Sequence, residues 1–322
     1  MDLKEELQKA FSSSGLFLSD ASYSEVWQQI YQSGPVYQEQ LKQISGRKTW
    51  DRVFYSDTNR IREQDRIRIL GFGAAITEYM IAGFNLPKAE RTTLVRLGTL
   101  ANFIVTFFDN CLDTGHPRQP LLPQPSKLIN NKLSALDFLF RALVNPKVKL
   151  INRLVRCYLQ TIKNLPYARH RPQLVELAHR AIELMYEAEL QTVMRKDSKI
   201  SLRMMRRKSA LPFVIMALPV WLSVKEIDKP AFITHLRWSY RFGYFFCLLD
   251  DAVDLFDDIN NNHPNYFLFD KKWLESPELI VKCVIDQGVR VKKNWHKETR
   301  AVDVSATELV FPALIRSWLG RG

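Results

Sequence analysis

Glycine is scarce, with only 12 in 322 residues, which disfavours β architectures built on tight turns that need positive φ. Cysteine is rarer still. The four cysteines (Cys111, Cys157, Cys247 and Cys283) are far apart and form no C-x-x-C pair. Buried free thiols are therefore expected rather than a cysteine zinc site. Long apolar runs are missing as well. The longest, "LPFVIMALPVWL" (211–222), carries two prolines and is too short to span a bilayer. The opening "MDLKEELQKAF" has acidic residues and no apolar core, so no signal peptide is expected, and the reading is of a soluble, cytoplasmic protein. Acidic residues are in deficit, leaving a formal charge of +12 that favours anionic partners. The basic residues are scattered, with no zinc-finger spacing and no RNP-like aromatic motif, so nucleic acid is not the expected partner. Phosphorylated small molecules or an acidic membrane surface fit the charge equally well.

What the chain does have is helical periodicity. Hydrophobic residues make up 46% of it and charged residues 25%, the balance of an ordinary globular protein. "RTTLVRLGTLANFIVTFFDNCLD", "LVELAHRAIELMYEAELQTVMRK" and "AFITHLRWSYRFGYFFCLLDDAVDLFDDI" repeat apolar residues at three- and four-residue steps. Breaks fall at "GHPRQPLLPQPSK" (115–127), "NLPYARHRPQ" (164–173) and "NNNHPN" (260–265). Helices of one character flank the first break, so it reads as a loop within a single domain covering 1–322. Residues 1 to about 55 are expected to form peripheral helices or a cap. The expected fold class is all-α, a single-domain bundle of roughly ten or more helices at usual lengths.

Two aspartate clusters stand out. In "LLDDAVDLFDDI", Asp250, Asp251, Asp254, Asp257 and Asp258 fall within a sector of about 120° if one helix carries them all. Like charges so close repel, the more so where water is scarce. A solvated acidic face is the plain alternative, but the preceding "YRFGYFFCLL" is apolar nearly all round and marks a buried helix. The EF-hand spacing is missing. Upstream, Asp109 and Asp113 in "FIVTFFDNCLDTG" lie four apart on one face, again behind an apolar run. Two such helices can face each other across a bundle. Hard oxygen ligands without convergent His or Cys favour Mg²⁺, which shares its shell with waters and substrate phosphates.

At this point the residues resemble a family. "DNCLD" (109–113) looks like the first aspartate-rich motif of class I isoprenoid synthases, and "DDAVDLFDD" (250–258) resembles the second. "NNHPN" follows where those enzymes often have a polar loop with a proline. "RRKSALPF" (206–213) is similar to their Lys-Thr/Ser-Ala element. The resemblance covers roughly residues 60–300. It implies a helical bundle around a central active-site cavity, acting on a prenyl diphosphate with three Mg²⁺ ions. It also implies that Asp109 and Asp113 bridge two of the ions and that Asp250 binds the third, with Asp254 nearby. Asp109, Asp113 and Asp250 would thus be the catalytic set. Lys208, helped by Arg207 or Arg206, would bind the diphosphate. Gln191, in "EAELQT", falls near the family's helix-borne glutamine, although the local pattern departs from it.

Chain-elongating members hold a second diphosphate with a Gly-Gly-Lys-Arg segment and paired arginines, and neither is recognisable here. The early region reads "TNRIREQDRIRILGFG", with Arg60, Arg62, Arg66 and Arg68; Arg118 stands alone; Asn110 replaces an aspartate of the first motif. The expected function is therefore a terpene synthase, a lyase that ionises a linear prenyl diphosphate and cyclises the cation. Phe107, Phe108, Phe213, Tyr244, Phe245, Phe246 and Trp221 are the candidate aromatic lining. Each is equally a candidate for plain core. Pro212 and Pro219 should kink the helix after Lys208. Ala101, Ile104 and Val105, none of them aromatic, favour geranylgeranyl over farnesyl diphosphate. The alternatives are a chain-elongating trans-prenyl diphosphate synthase and a non-catalytic interaction protein on the same scaffold; a homodimer fits each of them. A di-iron bundle needs two Glu-x-x-His motifs, and only Glu176/His179 is present. In "GVRVKKNWHKETR", Lys292, Lys293 or Arg300 could close over a diphosphate, though a solvated basic helix is the simpler reading.

Overall fold

The structure is a computed structural model that describes residues 2–55, 61–113, 146–194, 201–261, 263–299 and 308–320. Its helices are α1 (Leu3–Ser13), α2 (Asp20–Ser45), α3 (Arg47–Phe54), α4 (Glu63–Ile81), α5 (Lys88–Asp113), α6 (Pro146–Lys163) and α7 (Pro172–Met194). They continue as α8 (Leu202–Ala217), α9 (Lys229–Val253), α10 (Leu255–Asn261), α11 (Lys272–Glu275), α12 (Pro277–Thr299) and α13 (Val310–Leu319). Three 3-10 turns, Ala168–His170, Leu218–Leu222 and Tyr266–Phe269, complete the order, and no strand occurs among the described residues. The fold class is all-α. No helix of the described residues is long and apolar enough to cross a membrane.

Local chemistry sets the boundaries. Asp2, Ser19 and Ser201 each accept a backbone N–H from the first turn that follows, capping α1, α2 and α8. Pro230, at the start of α9, costs no helical hydrogen bond there. Pro212 is carried within α8, and the helix gives way at Leu218 to the 3-10 turn containing Pro219. The break at 164–173 starts directly after α6 and that at 260–265 contains the end of α10. The loop expected at 115–127 lies outside the described residues.

One hydrophobic cluster runs through the bundle and takes in the buried faces of α1, α2 and α3 along with the rest. At its centre Tyr79 of α4 stacks on Trp295 of α12, with ring centroids 4.4 Å apart, and also meets Trp238 of α9 and Phe311 of α13. The helix pair that matters for the site is α8 against α9. A Cβ on Gly243 would come within 2.5 Å of the Phe213 ring and 2.8 Å of the Ala210 Cα. The missing side chain lets the two backbones close up one turn from Lys208 and two turns from Asp250.

One expectation is corrected here. The second aspartate cluster does not ride on a single straight helix. α9 ends at Val253, Asp254 sits at the break (φ −93°, ψ 4°), and α10 starts at Leu255. The one-sector projection therefore holds for Asp250 and Asp251 and fails beyond. Asn265 shows what holds the break: its side-chain amide donates to the Asp251 carbonyl (2.6 Å) and to the Asp258 carboxylate (2.9 Å).

Candidate active site

α5 and α7 bring their C-terminal turns beside the N-terminal half of α8. There the Lys208 ammonium lies 2.9 Å from Asp109 Oδ1 and 3.1 Å from Glu189 Oε2. Glu189 is almost completely buried, at 2% exposure, while Asp109 and Lys208 keep about a third of their side chains open. Burial pushes the Glu189 carboxyl up to about 8, against the pull of Lys208. Burial also works against the Lys208 ammonium, but the Glu189 and Asp109 charges outweigh it and hold the lysine well above its usual range.

Sequence reasoning missed Glu189 and looked to Gln191 instead. The signal was present: Ile182, Met185, Tyr186 and Glu189 share a face at helical spacing, and an acid on an otherwise apolar face is a buried acid in need of a partner.

One to two turns back along α5 and α7 from Asp109 and Glu189 lies an apolar cavity of about 20 Å³, room for about one water. Ala101, Ile104 and Val105, one to two turns before Asp109, form one wall; Ile182, Met185 and Tyr186 form the opposite one. The polar cluster thus stands near a small void with apolar walls.

The second aspartate cluster flanks the same lysine, whose charge acts on Asp251. Asp251 is tied down: its carboxylate accepts the Tyr266 backbone N–H at 2.8 Å and lies 3.8 Å from Cys247 Sγ. Burial and the Asp250 charge push it up to about 8. Asp250 accepts the indole N–H of Trp318 at 2.7 Å. Asp254 and Asp257 are exposed, and Asp258 faces Asn265 and His263. Of Asp113, the last residue of α5, the side chain lies outside the described residues, as do Arg60, Arg118 and Arg300.

The remaining candidates divide. Arg206 is turned away from the triad: its guanidinium lies over the Tyr244 ring (4.9 Å) and donates to the Tyr266 hydroxyl (3.1 Å), so it braces the loop that holds Asp251. Arg207, about 100° from Lys208 around α8, lies near Tyr240. None of the aromatic candidates is among the residues around the cavity. Phe107 stacks on Phe103 toward α3, Phe108 meets Tyr186 edge-on (4.4 Å), and Phe245 packs on Phe11. Phe213 and Phe246 stack between α8 and α9. The turn at Pro219 rotates Trp221 into a cluster with Phe84, Phe232 and His235. Lys292 donates to the Gly15 carbonyl at the end of α1.

The donor set fits a hard cation. Asp109 and Asp250 offer oxygen only, and both stand near C-terminal helix ends, where the dipole is negative. Among the described residues no three His, Cys, Asp or Glu side chains converge on one point. Glu176, the acid of the lone Glu-x-x-His pair with His179, is exposed.

No family model and no curated protein sequence matches this chain. Among solved structures, the chain is similar to a protein assigned as a farnesyl-diphosphate synthase from a Marinomonas species, at 12% identity over 91% of this chain and 98% of that one, with a TM-score of 0.48. It is also similar to the geranylgeranyl pyrophosphate synthetase of the archaeon Geoglobus acetivorans, at 13% identity over 94% and 100% of the two chains, with a TM-score of 0.49.

Proposed function

We propose that this protein is a class I isoprenoid-synthase-type enzyme that ionises a linear prenyl diphosphate. The observation that carries the reading is the Asp109–Lys208–Glu189 triad near an apolar cavity, with Asp250 alongside. A diphosphate is matched by the ammonium of Lys208, and a hydrocarbon tail by the walls of Ala101, Ile104, Val105 and Met185. Asp109 and Asp250 would hold Mg²⁺, with Asp113 and Asp254 as further candidates from the sequence. When bound, Mg²⁺ supplies positive charge against the negative charge that develops on the leaving diphosphate. Lys208 adds its own charge at the same place, and Glu189 keeps the ammonium aimed there. Apolar walls of this kind keep water from a departing allylic cation. The cavity holds about one water, so any prenyl tail enters by moving side chains, and Met185, unbranched and flexible, is one suited to yield.

For the fate of the cation we favour cyclisation. Elongation requires a second basic pocket, and the described arginines of the early segment have their nearest partners elsewhere. Arg66 is buried, donates to the Ile61 carbonyl at 2.8 Å and lies over the Phe54 ring; Arg62 and Arg68 both face Asp65. One incubation separates the two outcomes. Geranylgeranyl or farnesyl diphosphate with Mg²⁺ should yield hydrocarbon or alcohol plus diphosphate without isopentenyl diphosphate. Longer diphosphates made only when isopentenyl diphosphate is added would overturn cyclisation in favour of elongation. No turnover of either substrate under any condition would support the non-catalytic reading.

A further inference from the structure

The two adjacent acids at the end of α9 are held by donors from different parts of the chain. Asp251 takes the backbone N–H of Tyr266 from the loop that follows. Asp250 takes the indole N–H of Trp318, 68 residues downstream on α13. Adjacent helical residues diverge by about 100°, and the two donors keep the carboxylates parted despite their mutual repulsion.

The donor of Asp250 is rigidly mounted. α13 is buried along most of its length, with Phe311, Ala313, Leu314, Ile315 and Leu319 at zero exposure. One turn of it is pinned to the α1–α2 junction: Arg316 donates to the Leu18 carbonyl at 2.6 Å, pairs with Asp20 and covers the Tyr23 ring. The Trp318 ring itself is clasped between Phe246 (4.9 Å) and Phe72 (6.2 Å). An indole in such a clasp finds some acceptor for its N–H as a matter of course. Here the acceptor is a charged carboxylate at 2.7 Å, the short, charge-assisted kind of bond that fixes an acceptor's orientation.

We infer that Trp318 is a positioning residue for the second metal-binding cluster, its indole N–H fixing the Asp250 carboxylate in the orientation that binds Mg²⁺. The inference rests on the metal reading of Asp250 given above and adds to it a partner from the opposite end of the sequence. Carboxylate ligands are commonly fixed by such outer donors, whose loss costs about 10–100-fold in metal affinity.

The test uses the full chain and Mg²⁺ alone, followed by calorimetry without substrate. Trp318→Phe keeps a ring between Phe246 and Phe72 and removes only the N–H. It should weaken Mg²⁺ binding by about 10–100-fold while leaving the metal-free melting curve close to that of the parent. Asp250→Asn should lose the same site, and adding Trp318→Phe to it should change nothing further. Equal Mg²⁺ affinity in the parent and Trp318→Phe would overturn the positioning role and leave the metal site standing. A parent chain that binds no Mg²⁺ overturns the metal reading itself, and the inference with it. The indole N–H resonance of Trp318 in the unmutated chain gives a second measure. It should shift on addition of Mg²⁺, and a resonance that stays put overturns the inference however the variant folds.

Discussion

Asp109→Ala and Asp250→Ala should each cut Mg²⁺-dependent release of diphosphate from a prenyl diphosphate by roughly 10²–10³-fold or more, the scale on which lost transition-state charge stabilisation is felt. The two residues are chosen because they stand on different helices and have different partners, Lys208 and Trp318. If only one of them mattered, the two clusters would not be acting on one substrate. Both variants should remain folded. Asp109 and Asp250 are partly exposed, and each leaves behind a partner with another contact, Glu189 for Lys208 and the aromatic clasp for Trp318. Phosphate released per minute, measured with a coupled colour assay and against added EDTA, decides the matter. Turnover of either alanine variant at the parental rate would remove the metal assignment.

Lys208→Met should cost stability as well as activity. Breaking a buried charge pair costs about 3–5 kcal/mol. Two circumstances reduce that here. The lysine and Asp109 are about a third exposed, so water already screens part of their attraction. Glu189 can also take up a proton rather than remain a bare buried charge. We expect a loss of about 2 kcal/mol near neutral pH, read from urea denaturation. Its pH dependence has a definite sign. The Glu189 pKa is raised from 4.5 to about 8 on folding, so between those values the native state holds a proton that the unfolded state has released. Each step up in pH across that window therefore lowers stability. Lys208 opposes the effect, and without it the deficit should widen as pH rises through the window and shrink toward its lower edge. Adding Glu189→Gln, which cannot ionise, should recover much of the loss and flatten the pH dependence. An identical deficit in the single and double variants would show that the triad is not the source.

Much of this was legible before any coordinates. Apolar spacing marked the helices because burial of one face is what keeps them folded, and Pro and Asn marked two of their breaks. Asp109, Lys208 and Asp250 stand out as candidates because each sits at the end of, or just inside, a greasy helix, where a charge is conspicuous. Trp318 was invisible for the opposite reason. Its significance is a contact 68 residues away in sequence, and no local pattern encodes such a contact. The break at Asp254 was hidden because neither Pro nor Gly produces it; it coincides with the bonds from Asn265, in the loop beyond α10, to Asp251 and Asp258. The aromatic lining was over-read. Phe103 and Phe107 share one face of α5 and Ala101, Ile104, Val105 and Phe108 another, and only packing against α3 or α7 decides which face meets the cavity.

The clasp between Arg316 and Leu18 joins residues 298 apart. Ring closure over so many residues is entropically costly, and contacts of such separation form slowly. Lys292 reaches Gly15 over nearly as long a span. α13 packs on α1 and α2 as well as on α4 and α9, so its place in the bundle joins the two ends of the described chain. Trp318 rides on that helix. The Asp250 corner is therefore completed by contacts of long sequence separation, and a helical signal by itself would be a poor gauge of how many molecules have formed it.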